Sequence, residues 1–392
     1  MTDTMTRPEA RTLVLNGSDN IGVALSNLEV GAQTPQDVTI LRRVPRGHKF
    51  ALRDIASGEA IIKFGQIIGF ASEAISAGHW VHEHNCGMGG ADGSLKHDYA
   101  FAEGAVPPEM VPLEQRATFE GFRRSNGRVG TRNYIGILTS VNCSATVAKF
   151  MAEAINRSGI LEDYPNIDGV IPFVHGTGCA MDIQGEGYQI FRRTQWGYTA
   201  NPNLGAALLV GLGCEAFQIG KMKESYGLTE TDTFQTMTIQ EMGGTQKMID
   251  WGVERIKEMI PVAARAQRET VDASELMLAL QCGGSDGYSG ITANPALGYA
   301  ADILVRNGGT AILSETPEIY GAEHLLTRRA VSREVGEKLI ERIGWWEDYT
   351  SRNRGEMNNN PSPGNKLGGL TTILEKSLGA AAKGGTTPLT AV

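Results

Sequence analysis

Four apolar, strand-length runs in this chain each end on a cysteine set among glycines or small polar residues. They are IGILTSVNCSA (Ile135–Ala145), GVIPFVHGTGC (Gly169–Cys179), ALLVGLGCE (Ala207–Glu215) and LMLALQCGGSDGYSG (Leu276–Gly290). In an open α/β sheet, ligands bind in the crevice beyond the carboxyl ends of the strands. Strands arranged in this way deliver Cys143, Cys179, Cys214 and Cys282 to one edge, together with His175, Glu215 and Asp286. Such a site suits an enzyme, and one that uses a metal.

The pattern around these runs predicts the architecture. Residues 1–86 read as a small β-rich domain, because strand-length segments such as TLVLN, KFALRDI and AIIKFGQIIGFA alternate with the turn signals GSDN, PRGH and ASGE. Residues 87–120 read as a linker, since glycines and prolines there cannot sustain a long helix or a central strand. Across 121–392, strands alternate with helical segments such as SATVAKFMAEAINRSG and NPALGYAADILVRNG. That alternation implies βαβ units, a mostly parallel sheet and helices on both faces. The overall class expected is α/β. The closing PLTAV has the character of a beginning strand, so the α/β domain is expected to be C-terminally incomplete, with an exposed apolar patch.

Several function classes are disfavoured. The net charge of −8 and the absence of long basic runs argue against a nucleic-acid partner. No apolar stretch approaches the ~20 residues that span a bilayer, and the N-terminus lacks the apolar core of a signal peptide. Five cysteines, an odd number in a large chain, do not form a secreted disulfide framework. A cytoplasmic protein with reduced thiols, no membrane partner and a homo-oligomeric, dimeric assembly is expected.

The candidate site residues follow from local chemistry. In VHEHN, His82 and His84 lie two apart; on an extended strand both imidazoles share a face and could bind one metal. CGGSDGYSG places Cys282, Gly283, Gly284, Ser285, Asp286 and Ser289 in a loop before a helix, a pattern suited to an anion. GNKLGG offers Asn365 and Lys366 for a substrate carboxylate. Arg132, just before the first cysteine strand, is a second cation for an acidic substrate. The four thiols could hold an iron–sulfur cluster, but their spacings lack a compact cluster motif, which favours a mononuclear divalent site. No Walker loop or opening GxGxxG fingerprint is present.

Taken together, RGHKFAL, IKFGQIIG, VHEHN, NGRVGTRN, HGTGC, NPNLGAALLVGLGCE, QCGGSDGYSGITANPALG, ETPEIYGAEHLL and NPSPGNKLGG resemble the altronate/galactarate dehydratases, in the form carrying an N-terminal SAF-type domain. The resemblance implies dehydration of a sugar acid to a 2-keto-3-deoxy acid with a divalent metal, commonly Fe(II), with Mn(II) as an alternative. It also implies family members that continue beyond the last segment here. The substrate would be altronate or galactarate, the C2 proton being removed with metal assistance and the C3 hydroxyl lost. On this reading His82 and His84 bind metal, His175, Glu215 and Asp286 serve catalysis, and the Cys282–Ser289 loop with Arg132, Asn365 and Lys366 holds substrate. A sister group eliminates sulfite from sulfolactate, so a sulfo-lyase is the alternative. A truncated binding protein without turnover is a third.

Overall fold

The computed structural model describes residues 10–89 and 99–392. Within these, the chain divides into two compact units, one of residues 117–275 and one of residues 1–116 with 276–392. Parts of the N-terminal segment and of the linker, residues 1–9 and 90–98, lie outside the described residues.

The unit of residues 117–275 is built on a four-stranded parallel sheet. In spatial order its strands are Gly169–Phe173, Tyr134–Thr139, Leu204–Gly211 and Phe234–Thr238. Strands of a parallel sheet are covered on both faces and so read as continuous apolar runs rather than alternating ones. Ile135, Ile137, Leu138, Leu208, Leu209 and Val210 are accordingly all fully buried. One face packs on helices Ala145–Arg157 and Thr245–Ala263 through Met151, Ile155, Met248, Ile256 and Ile260. The other packs on helices Glu186–Thr199 and Ile219–Tyr226 through Tyr188, Phe191 and Met222. A short antiparallel sheet joins Thr118–Arg123 to Arg268–Asp272 and to Val129–Gly130, with SNGR forming the hairpin turn at Gly127 (φ +82°).

The second unit joins an antiparallel β module to the C-terminal helices. Strands Thr12–Leu13, Ile21–Ala24, Lys49–Ala51 and Trp80–Val81 pair in that order in one antiparallel sheet, and Ala60–Lys63, Gln66–Ala71 and Cys86–Gly87 form another. Ile21, Val23, Ile61, Ile68 and Val81 from the β module share one core with Ile319, Leu326, Leu339, Ile343 and Leu378. This shared core groups residues 276–392 with the N-terminal module, whereas the sequence pattern placed them in a single α/β domain over 121–392. The PLTAV segment is engaged in this unit too: Leu389 bridges Ala330 in parallel and exchanges backbone hydrogen bonds with Arg329 and Val331.

The division also corrects the expected four-cysteine edge. Cys143, Cys179 and Cys214 do follow neighbouring strands of one parallel sheet. Cys282 follows Met277–Leu280, which among the described residues pairs only with Thr310–Leu313, in a two-stranded ladder of the other unit. Among the described residues, no helix is long and apolar enough to cross a membrane.

Candidate active site

The unit that holds the β module contains a charged group with no access to water. The strand period turns Ile61 and Lys63 of Ala60–Lys63 inward, and Lys49 opens the fully buried strand Lys49–Ala51. Their ammonium groups meet Glu375, the third residue of helix Ile373–Ala382. Lys49 Nζ lies 2.8 and 3.0 Å from the two carboxylate oxygens and Lys63 Nζ 2.8 Å from Oε1. All three side chains are at most 1% exposed. Thr371 donates its backbone N–H (2.9 Å) and its hydroxyl (2.8 Å) to Glu375 Oε2, and Lys49 also donates to Gly369 O at 2.5 Å. Burial alone would raise the Glu375 carboxyl, but Lys49 and Lys63 outweigh it and hold the group well below the usual carboxylate range. Burial lowers the Lys49 ammonium, an effect Glu375 partly offsets.

Beside Lys49 stands an aromatic cluster. Trp80 Nε1 donates to His48 Nδ1 (3.2 Å), and His48 Nε2 meets Leu367 O (3.0 Å), so His48 is fixed as the Nε2–H tautomer with both nitrogens used. His82 stacks on Trp80, with ring centroids 5.1 Å apart and planes 13° apart. Its Nδ1 is buried and has no hydrogen-bond partner among the described residues. Burial, then Lys49 and His48, pushes its pKa down to about 4, so the ring is neutral at pH 7.

The glycine-rich loop completes a pocket in the same unit. The pocket is lined by Lys63, Ser285, Asp286, Ser289, Asn294 and Lys376, with Glu375 in its wall; it encloses about 260 Å³, counting space open to solvent. Asp286 Oδ1 accepts from the backbone N–H groups of Tyr288 (2.9 Å) and Ser289 (3.0 Å), which shapes the turn. Gly287 N donates to Gly368 O, and a Cβ on Gly287 would lie 2.2 Å from Gly47 O. The loop therefore docks on both the β module and the GNKLGG segment. Gly283 and Gly284 adopt no positive φ and face open space. Cys282 Sγ accepts from Lys383 Nζ (3.1 Å), a buried ammonium paired with Glu318 at 2.5 Å. Asn365, in a capping box with Ser362, donates to Ser285 O (2.8 Å) and so holds the loop rather than facing its centre. Lys366 pairs with Glu83 at 2.9 Å.

Several expected site residues are arranged otherwise. Strand Trp80–Val81 ends on the first residue of the VHEHN segment, and His82 to Asn85 form a turn closed by the Asn85 N–H donating to His82 O. The same-face argument for an extended strand thus does not apply: His82 is buried, whereas His84 is exposed with Nε2 3.3 Å from the Arg42 guanidinium, a setting hostile to a cation. Among the described residues, no three His, Cys, Asp or Glu side chains converge on a single-ion site. The described residues by themselves do not make a ligand set for the expected divalent ion.

His175, Glu215 and Arg132 belong to the other unit, and each has partners there. His175 Nε2 meets Thr139 O at 2.7 Å and its Nδ1 accepts from Thr177 N (3.3 Å). Glu215 accepts from Ser140 Oγ (2.5 Å) and the Leu212 and Gly213 N–H groups. Arg132 pairs with Asp168 at 3.2 Å, at the amino end of the strands and away from the edge where ligands bind.

The residues that sequence reasoning missed are Lys49, Lys63, Glu375 and His48. A lysine on the inward face of an apolar strand demands a buried counter-charge, and AIIKFG carried that signal for Lys63.

Two outcomes follow from this geometry. Glu375→Gln leaves two buried ammonium groups without a counter-charge, and unfolding in urea should show a loss of about 3–5 kcal/mol. For His82 the folded pKa lies below the unfolded one, so the unfolded chain takes up the proton first. Its stabilising contribution is complete above about pH 6.5 and declines as pH falls toward about 4. The urea midpoint should therefore drop less between pH 7 and pH 4.5 in His82→Gln than in the wild type; an identical drop would contradict the assignment.

Comparison with known proteins agrees with this organisation. The profile of the altronate/galactarate dehydratase SAF domain matches residues 10–89, that of the D-galactarate dehydratase/altronate hydrolase second domain matches 121–264, and that of the D-galactarate/altronate dehydratase C-terminal region matches 273–392. The chain is 38% identical over 391 residues to galactarate dehydratase (L-threo-forming) of Escherichia coli, covering 96% of this chain and 73% of the relative. It is 37% identical over 380 residues to altronate dehydratase of the same organism, covering 95% and 73%. A more distant relative is the (2R)-sulfolactate sulfo-lyase subunit beta of Chromohalobacter salexigens, 33% identical over 264 residues and covering 67% of this chain and 63% of the relative. With all three family profiles matched and these identities spanning nearly its whole length, this chain belongs to the altronate/galactarate dehydratase family.

Proposed function

We propose that this enzyme, a carbon–oxygen lyase of the sugar-acid dehydratase class, acts on galactarate or altronate. It takes the C2 proton and expels the C3 hydroxyl, leaving a 2-keto-3-deoxy acid. The observation that carries the reading is the pocket beside Glu375. Lys376 lines it as a cation, Lys63 lies behind its wall with its ammonium buried against Glu375, and Ser285, Ser289 and Asn294 bring neutral hydrogen-bonding groups. A sugar acid presents the complementary pattern, a carboxylate next to a row of hydroxyls, with a second carboxylate at the far end in galactarate. Lys376 is already oriented by Asn360 Oδ1 at 2.7 Å. A charge-assisted bond from a positioned ammonium suits the substrate carboxylate.

The proton at C2 is weakly acidic, so its removal needs a base and a stabilised enolate. Asp286 is the exposed carboxylate in the pocket, with Oδ1 committed to the loop backbone. We assign it the proton-transfer role. His82 is a neutral imidazole with a spare nitrogen and stands in the aromatic cluster as the second candidate. His175, Glu215 and Arg132 hold the loops of the other unit in this scheme. The sulfo-lyase reading shares the α-proton step and differs in the leaving group.

The test is an anaerobic assay of the full chain with Fe(II) against galactarate, altronate and sulfolactate, following keto-acid and sulfite. Keto-acid should form from one of the two sugar acids. Lys376→Met should raise KM by roughly 10–100-fold, the value of one charge-assisted hydrogen bond, while Asp286→Asn should lower kcat. Sulfite release from sulfolactate alone, or no turnover by folded, iron-supplied protein, would overturn the proposal.

A further inference from the structure

We infer that Cys143, Cys179 and Cys214 hold a [4Fe–4S] cluster by three of its corners, at the carboxyl edge of the parallel sheet in the 117–275 unit. Such a cluster does not depend on which acid the enzyme takes. Strand Tyr134–Thr139 lies between Gly169–Phe173 and Leu204–Gly211 in the sheet, and the loop leaving each strand carries one of these cysteines. The central strand feeds helix Ala145–Arg157 on one face; its two neighbours feed helices Glu186–Thr199 and Ile219–Tyr226 on the other. Loops that part toward opposite faces open a crevice at the strand ends, the place where such sheets bind ligands.

The three loops are tied together close to the thiols. Asn142 N donates to Thr177 O at 2.8 Å, joining the loops of Cys143 and Cys179. Ser140 Oγ donates to Glu215 Oε1 at 2.5 Å, joining the loops of Cys143 and Cys214. Gly178 adopts φ +101°, and a Cβ there would lie 2.6 Å from Ser140 O, so only glycine admits this approach. All three thiols are free and exposed, whereas Cys86 is buried and its thiol is pushed up to about 12 by burial. Free cysteine is among the most buried residue types, so three exposed on adjacent loops call for a ligand.

The cysteines follow one another by 36 and 35 residues (143 to 179, 179 to 214), one βα unit each. The sheet order thus gathers them without a compact sequence motif. The described residues show no convergence on a single ion. A cube differs in this respect, because it presents a separate iron to each thiolate. Its fourth iron would carry no cysteine, and the chemistry such an open iron would supply is that of a Lewis acid.

The test uses thiolate exchange. The full chain is incubated anaerobically with a synthetic thiolate-capped [4Fe–4S] complex. Each protein thiol gives its proton to a departing thiolate and forms one sulfur–iron bond, with no change in oxidation state. After desalting, roughly four irons and four acid-labile sulfides per chain and broad visible absorption are expected. Cys143→Ser, Cys179→Ser and Cys214→Ser should each retain at least about tenfold less cluster, while Cys282→Ser retains the wild-type amount. Circular dichroism confirms that each variant is folded, and alanine variants replace any that are not. A wild type that leaves desalting colourless, or a triple variant that keeps as much iron and sulfide, would overturn the inference. Neither readout requires turnover, so the cluster stands or falls apart from the dehydratase assay.

Discussion

One carboxylate, Glu375, balances two ammonium groups in a place without water, and the unit that holds the candidate site is arranged around it. The contact joins residues more than 300 positions apart in the chain, since Lys49 and Lys63 come from the β module and Glu375 from the first turn of a C-terminal helix. Taking three ionised groups out of water is costly, and their mutual attraction offsets that cost only with close geometry and additional hydrogen bonds. Thr371 and Gly369 supply those bonds. Lys63 and Glu375 of this cluster also form part of the wall of the pocket. Buried ionic groups of this kind often add little net stability, and we propose that this one, beside the pocket, serves the ligand.

The same charge sets the state of its neighbours. Lys49 adds to the burial that keeps His82 neutral, and His48 is locked as one tautomer by Trp80 and Leu367. Glu83, between the two histidines of the VHEHN turn, is held below the usual carboxylate range by Lys366. The GNKLGG segment thus acts twice on this site: Asn365 shapes the serine-bearing loop, and Lys366 ties down the histidine turn.

Much of the fold was legible because it is local. The apolar runs Ile135–Leu138 and Ala207–Gly211 announced a parallel sheet, and the helix over Ala293–Arg306 matched its periodic sequence. The loop from Ser285 to Ser289 was legible for the same reason, since its turn chemistry lies in adjacent residues. What was not legible depends on tertiary partners. No local signal tells that residues 276–392 complete the core of the N-terminal module, or that Glu375 turns inward to meet Lys49. The VHEHN histidines failed as a strand pair because the backbone turns after Val81, which the side-chain types alone do not report. His175 and Glu215 have the residue types of acid–base catalysts, but in the folded unit their polar atoms brace strand-end loops.

On this proposal, the Lys49–Glu375–Lys63 group serves the ligand rather than the fold. The direct measurement is kcat/KM, alongside the urea midpoint, for a chain in which all three are replaced together by apolar residues of similar size (Lys49→Met, Lys63→Met, Glu375→Leu). Removing a buried ionic group as a whole is often neutral or stabilising. A folded protein of at least wild-type stability whose sugar-acid turnover is lost is the expected result. A folded variant that retained wild-type kcat/KM would contradict a ligand-serving role for the buried charges.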